Sequence, residues 1–155
     1  MRLLYGHSDE VAAWVGWRIP YVAKRMARDP ATPFGACQAI GVLNSAGELV
    51  AGVVYHSYDP DCPSVEMSFA ASTRKWLTPN LIRELMGYPF NTLGCRRVTG
   101  CTPKRAREAR QFLDGFGFKR EGSVRQAFGD DDAIISGLLR KEWEASRFNR
   151  PTAIH

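Results

Sequence analysis

Val65-Glu66-Met67-Ser68-Phe69-Ala70-Ala71-Ser72 decides how this chain folds. Val65, Met67 and Phe69 alternate with Glu66, Ser68 and Ala70, the period of two expected of a strand. One face is apolar; the other carries small residues and a carboxylate. The strand runs through a basic turn containing Arg74 and Lys75 into a helix. Pro79 and Asn80 suit the first turn of that helix, and Leu81, Ile82, Leu85 and Met86 form its apolar side. A second apolar strand, Arg97-Val98-Thr99-Gly100-Cys101, follows Gly94. After it a charged helix runs from Lys104 to Asp114 and ends in Gly115-Phe116-Gly117-Phe118-Lys119-Arg120-Glu121-Gly122. A strand–helix–strand step of this kind closes as a right-handed parallel crossover. The strands around Phe69 and Val98 are therefore neighbours, or splay apart to admit something.

Towards the N-terminus, residues 2 to 5 suit an edge strand, and Ser8 is a good N-cap with Asp9 and Glu10 in the first turn behind it. Val11, Trp14, Val15 and Arg18 recur at helical spacing until Pro20, after which Tyr21, Val22, Arg25 and Met26 continue in a second helix. Trp14, Trp17 and Tyr21 are spaced for one helix face, which favours packing on a sheet over a substrate platform. Cys37 to Leu43 and Glu48 to Ser57 read as a hairpin about Asn44-Ser45-Ala46-Gly47. Towards the C-terminus, Phe118 to Phe128 is expected to be a strand, Gly129-Asp130-Asp131-Asp132 a turn, and Ala133 to Trp143 the last strand. These elements predict one α/β domain over residues 1–143: a mostly antiparallel sheet with one parallel crossover and helices on both faces. Residues 144–155 show no periodic signal and form a tail open to disorder or to docking on a partner.

Bulk properties exclude several classes. At 155 residues, 45% hydrophobic and 24% charged, the chain is an ordinary globular domain with no low-complexity tract. Its net charge of +5 suits an anionic ligand but is too small and dispersed to argue for nucleic acid by itself. No apolar run is long enough to span a bilayer, and the acids at positions 9 and 10 argue against a signal peptide. Cys37, Cys62, Cys95 and Cys101 have no C-x-x-C spacing and no neighbouring histidine. They read as reduced thiols of a cytoplasmic protein, with no metal site expected.

The order of elements from Gln38 to Lys141 resembles the GNAT N-acetyltransferase superfamily, as a divergent, phage- or prophage-like member. Glu66-Met67-Ser68-Phe69-Ala70-Ala71-Ser72 resembles the fourth strand of its histone-acetylating enzymes. Tyr88-Pro89-Phe90-Asn91-Thr92-Leu93-Gly94-Cys95-Arg96-Arg97-Val98 and Phe116-Gly117-Phe118-Lys119-Arg120-Glu121-Gly122-Ser123-Val124-Arg125 resemble the branch that acetylates protein N-termini. The resemblance implies acetyl transfer from acetyl-CoA to a primary amine of a small molecule or protein, with Glu66 as general base. Backbone N–H groups near Phe69, Ala70 and Ala71 would polarise the thioester carbonyl.

The same resemblance places Arg74, Lys75, Trp76, Leu77, Thr78 and Asn80 around the cofactor pyrophosphate, with Arg105 or Arg107 approaching a further phosphate. The family's loop, Arg/Gln-x-x-Gly-x-Gly/Ala, aligns with Arg74-Lys75-Trp76-Leu77-Thr78-Pro79, so Leu77 and Pro79 stand where glycines belong. Leucine does not readily take the positive φ that glycine permits, and proline removes an N–H donor. Leu113 occupies the place of the tyrosine that protonates the leaving thiolate, and Ala106 that of a cofactor-contacting asparagine. Tyr55 and His56 are the substitute candidates for acid or substrate contact. Three readings follow: a transferase; an accessory protein that kept the fold and lost cofactor use; or a phage Mom-like DNA-modifying protein. Nucleic acid is the less favoured partner, no membrane is expected, and a homodimer is allowed.

Overall fold

The computed structural model describes residues 1–31 and 33–150. Seven strands form one sheet in the order β1-β2-β3-β4-β5-β7-β6. They span Arg2–Leu4 (β1), Cys37–Leu43 (β2), Leu49–Asp59 (β3), Ser64–Ala71 (β4), Arg97–Pro103 (β5), Lys119–Val124 (β6) and Ala133–Leu139 (β7). Every neighbouring pair is antiparallel except β4 and β5, which run parallel. Five α-helices accompany them: Ser8–Trp17 (α1), Pro20–Arg28 (α2), Pro79–Gly87 (α3), Arg107–Gly115 (α4) and Arg140–Ala145 (α5).

The alternation read along β4 sorts the residues between two cores. Val65 and Met67 join Val53, Tyr55, Val98 and Leu138 in the larger core beneath α3 and α4, with Phe69 packed against its edge. On the opposite face Val11, Ala12 and Val15 of α1 pack on Ala39 and Val54. α1 sits close because β2 and β3 present glycines to it. A Cβ at Gly52 would come within 2.7 Å of Val15 Cγ2 and 2.8 Å of Val11 Cγ1. α2 is held to α1 in the same way, since a Cβ on Gly16 would lie 2.5 Å from Met26 Sδ. Pro20 takes the first helical position of α2, where its missing N–H costs nothing.

Three local expectations are corrected. Ser8 is the first residue of α1, not its cap; its hydroxyl accepts a hydrogen bond from the Ala39 N–H at 3.0 Å and ties the helix to β2. Trp17 is 51% exposed and packs on no sheet, because the helix rotates it away from the face carrying Val11 and Val15. The last strand stops at Leu139, where Glu142 Oε1 accepts from the Leu139 N–H and starts α5, so Trp143 enters the core from a helix. α5 therefore crosses the expected boundary at 143/144, and a short 3₁₀ turn over Arg147–Asn149 brings Phe148 onto the larger core. Residues 151–155 of the expected tail lie outside the described residues.

The seat of α1 is testable. Gly52→Ala is expected to lower stability by about 1–3 kcal/mol through overpacking, read as a lower denaturation midpoint, whereas Gly115→Ala, with open space at its Cβ position, leaves it little changed.

Candidate functional site

The sheet opens at its centre. β4 and β5 are paired only at Ser64↔Arg97, Val65↔Val98 and Glu66↔Thr99. Beyond Glu66 each strand continues on its other partner alone, β4 along β3 to Ala71 and β5 along β7 to Pro103. The Ser72 N–H donates to the Val50 carbonyl on β3 at 2.8 Å. By strand alternation the backbones of Ser68 and Ala70 also face β3; the Met67 N–H closes the last Glu66↔Thr99 pair with β5, and beyond it the N–H groups of Phe69 and Ala71 face the gap. Of the three residues expected to offer N–H groups there, Phe69 and Ala71 are so placed and Ala70 is not.

On the α1/α2 face the pairing stops beside a cleft of about 450 Å³. β3 and β4 place His56, Glu66 and Ser68 in it, β5 adds Cys101, α2 adds Tyr21 and Arg25, and the chain before β7 adds Phe128. The Tyr21 and Phe128 rings meet at 4.5 Å between centroids, and Phe34 lies 5.3 Å from the His56 ring. His56 Nε2 lies 2.8 Å from Ser68 Oγ, and its Nδ1 lies 3.2 Å from Ser57 Oγ and 3.9 Å from Glu66 Oε2. Ser57 reaches back because β3 bulges there, with Ser57 at a φ of 56°.

Electrostatics separates the two titratable groups. Burial raises the Glu66 carboxyl above its ordinary range. Its side chain is 43% exposed, so it stays reachable from the cleft. Burial, and then the positive charge of Arg25, push His56 down to about 4. At neutral pH the imidazole is uncharged and exchanges hydrogen bonds with two hydroxyls, so Glu66 has no cation fixed beside it.

The remaining expected site residues divide. Tyr55 is 2% exposed on the opposite face of β3, and its hydroxyl donates to the Leu85 carbonyl at 2.6 Å. It is part of the core and does not reach the cleft. Trp76 is also core, stacked on Phe112 at 5.4 Å, while Phe112 stacks on Phe69 at 4.5 Å. Thr78 caps α3 by accepting from the Leu81 N–H at 3.2 Å, and Leu77 packs against the larger core. Lys75 and Asn80 are exposed beside the same turn.

Arg74 forms a 2.6 Å ion pair with Glu108, joining that turn to the first turn of α4. Glu108 thus pairs across to the β4–α3 turn and not along its own helix. Arg105 is drawn the other way, to Asp130 at 3.1 Å, and Arg107 is exposed at the start of α4. Leu113 is fully buried, and a Cβ on Gly100 would lie 2.7 Å from its Cδ1, so α4 rests on β5 with an apolar group at that point. Sequence reasoning does not single out Arg25, Cys101 or Phe128, and it favours packing over a substrate platform for Tyr21. The i, i+4 spacing of Tyr21 and Arg25 is a signal for that pair, and strand alternation puts Ser68 on the Glu66 face; Cys101 and Phe128 meet the others only through the topology.

The low value at His56 gives a pH signature. Unfolded chain takes up this proton near the ordinary histidine value of 6.5 and folded chain only near 4. Stability is therefore complete above the upper value and falls as pH drops through the interval. NMR titration should place the His56 ring near 4, and Arg25→Gln should raise it.

No family model matches the chain, and no curated protein sequence matches it significantly. Solved structures do. A point mutant of spermidine N-acetyltransferase SpeG from Vibrio cholerae superposes with a TM-score of 0.71 at 14% identity, covering 94% of this chain and 98% of that one. A protein described as a probable acetyltransferase gives 0.62 at 23% identity, covering 77% and 67%. Dodecameric spermidine N-acetyltransferase from Vibrio cholerae, in an intermediate state, gives 0.64 at 16% identity, covering 79% and 72%. This chain has the α/β fold of those acetyltransferases, a GNAT-like mixed sheet with its one parallel pair at β4 and β5.

Proposed function

We propose that the protein is an N-acyltransferase that moves an acetyl group from acetyl-CoA to a primary amine by direct attack in a ternary complex. The observation that carries this reading is the end of β4–β5 pairing at Glu66↔Thr99, with the Glu66 carboxyl facing a cleft at that point. A thioester arm laid between the strands meets the outward N–H groups of Phe69 and Ala71. These can stabilise negative charge on the carbonyl oxygen as the amine adds. Glu66 takes the proton from the attacking nitrogen, directly or through water; its raised pKa brings its basicity closer to that task. The new C–N bond forms, the C–S bond breaks, and the CoA thiolate takes a proton from solvent, since Leu113 offers none.

The turn after β4 fits the cofactor partly. Arg74 and Lys75 supply charge, but Trp76 and Thr78 are committed to core and cap. One observation favours a second reading, an accessory protein with reduced cofactor use. The Phe69–Phe112–Trp76 stack bridges from β4 to α4 on the α3 side of the gap, where the arm would have to pass.

Calorimetric titration with acetyl-CoA separates the two. The transferase reading expects binding tighter than millimolar that weakens in Arg74→Ala. Weaker binding, restored only by Phe112→Ala, selects the accessory reading. For the reaction, Glu66→Gln should lower kcat about 10²–10⁴-fold with little change in acetyl-CoA affinity. It should also remove an acid limb lying above the ordinary glutamate pKa, because the wild-type rate falls as Glu66 becomes protonated. Full activity in Glu66→Gln excludes it as the base.

A further inference from the structure

The charges in the cleft restrict what amine it takes. Arg25 lines it, with its guanidinium 5.6 Å from the centre of the Tyr21 ring. Among the described residues no carboxylate pairs with Arg25. Outside the cleft, Arg74, Arg97, Arg105 and Arg140 each face an acid within ion-pair distance: Glu108, Glu121, Asp130 and Glu144. The field of Arg25 reaches the interior, since it helps to keep His56 uncharged. Arg25 and Glu66 are thus the two charged side chains lining the cleft, one of each sign, and Tyr21, Phe34 and Phe128 supply aromatic walls.

Resting on the transferase reading for its chemistry, we propose that the acceptor is a small primary amine that also bears a carboxylate, an amino acid with an aromatic or apolar side chain. Its nitrogen lies at Glu66, its carboxylate pairs with Arg25, and its side chain packs among the rings. A volume of about 450 Å³ suits a molecule of that size. A planar guanidinium holds one carboxylate through two parallel hydrogen bonds. A polyamine meets the opposite situation: its second ammonium group faces Arg25, and only one carboxylate is there to receive its charges. The acceptor named in the SpeG structures is therefore not the one this cleft selects.

The test compares L-phenylalanine, phenethylamine and spermidine, on the full chain and on Arg25→Gln. Binding is read by ligand-observed NMR or calorimetry without acetyl-CoA, and acetylation by mass spectrometry with it. Phenylalanine is expected to bind the wild type about tenfold or more tightly than phenethylamine, the scale of one charge-assisted contact. The preference should vanish in Arg25→Gln and partly return in Arg25→Lys. Equal or better binding of phenethylamine or spermidine overturns the proposal. So does a phenylalanine preference that survives Arg25→Gln, or no phenylalanine binding at millimolar concentration. Selective, Arg25-dependent binding without acetylation upholds the cleft as an amino-acid site and defeats the transferase reading, and with it the acceptor role; acetylation of spermidine independent of Arg25 upholds the transferase reading and defeats the amino-acid site.

Discussion

Three paired residues between β4 and β5, and no more, set up everything else in this molecule. Beyond Glu66 both strands remain paired on their outer sides, β4 to β3 and β5 to β7, so the sheet can open at its centre without losing those ladders. An ordinary sheet edge exposes a row of backbone donors to any passing chain. Here the equivalent donors lie inside the sheet, between two strands of one domain, and not at its outer edge. The two faces of the opening differ. Beneath α3 and α4 it meets an aromatic stack; beneath α1 and α2 it meets a polar cleft with one carboxylate and a guanidinium that has no carboxylate partner among the described residues.

The cleft owes its form to close packing elsewhere. Gly52 lets α1 settle on β3, and Gly16 brings α2 against α1, which fixes Tyr21 and Arg25 above His56. Burial then does the electrostatic sorting: a carboxyl pushed up and an imidazole pushed down lie within 3.9 Å of one another. With His56 uncharged, its imidazole does not neutralise Glu66 across that distance.

Much of this was legible in the chain. The alternation through Val65-Glu66-Met67-Ser68-Phe69 assigned Glu66 to the small-residue face, and the parallel pairing of β4 with β5 follows from the strand–helix–strand spacing. The same alternation, applied to β3, separates Tyr55 from His56, because adjacent strand residues point to opposite faces. The expected strand ends at Ser57, whereas β3 continues to Asp59 and holds both residues within the strand. α5 was read as strand because Leu138 and Leu139 run into it without a glycine or proline; its start depends on the Glu142 carboxylate reaching back to the Leu139 N–H, a contact of geometry more than of composition. Phe128 and Cys101 carry no local signature of a site. They reach the cleft only because β5 and the segment leading into β7 lie beside β4 once the sheet has formed.

Amide hydrogen exchange tests the opening itself. In the free protein the N–H groups of Phe69 and Ala71 should exchange faster than those of Ser68 and Ala70, which bond to β3, and acetyl-CoA should slow the first pair selectively. Equal protection of all four amides without ligand would mean that the two strands close on each other, and the account built on their separation would be contradicted.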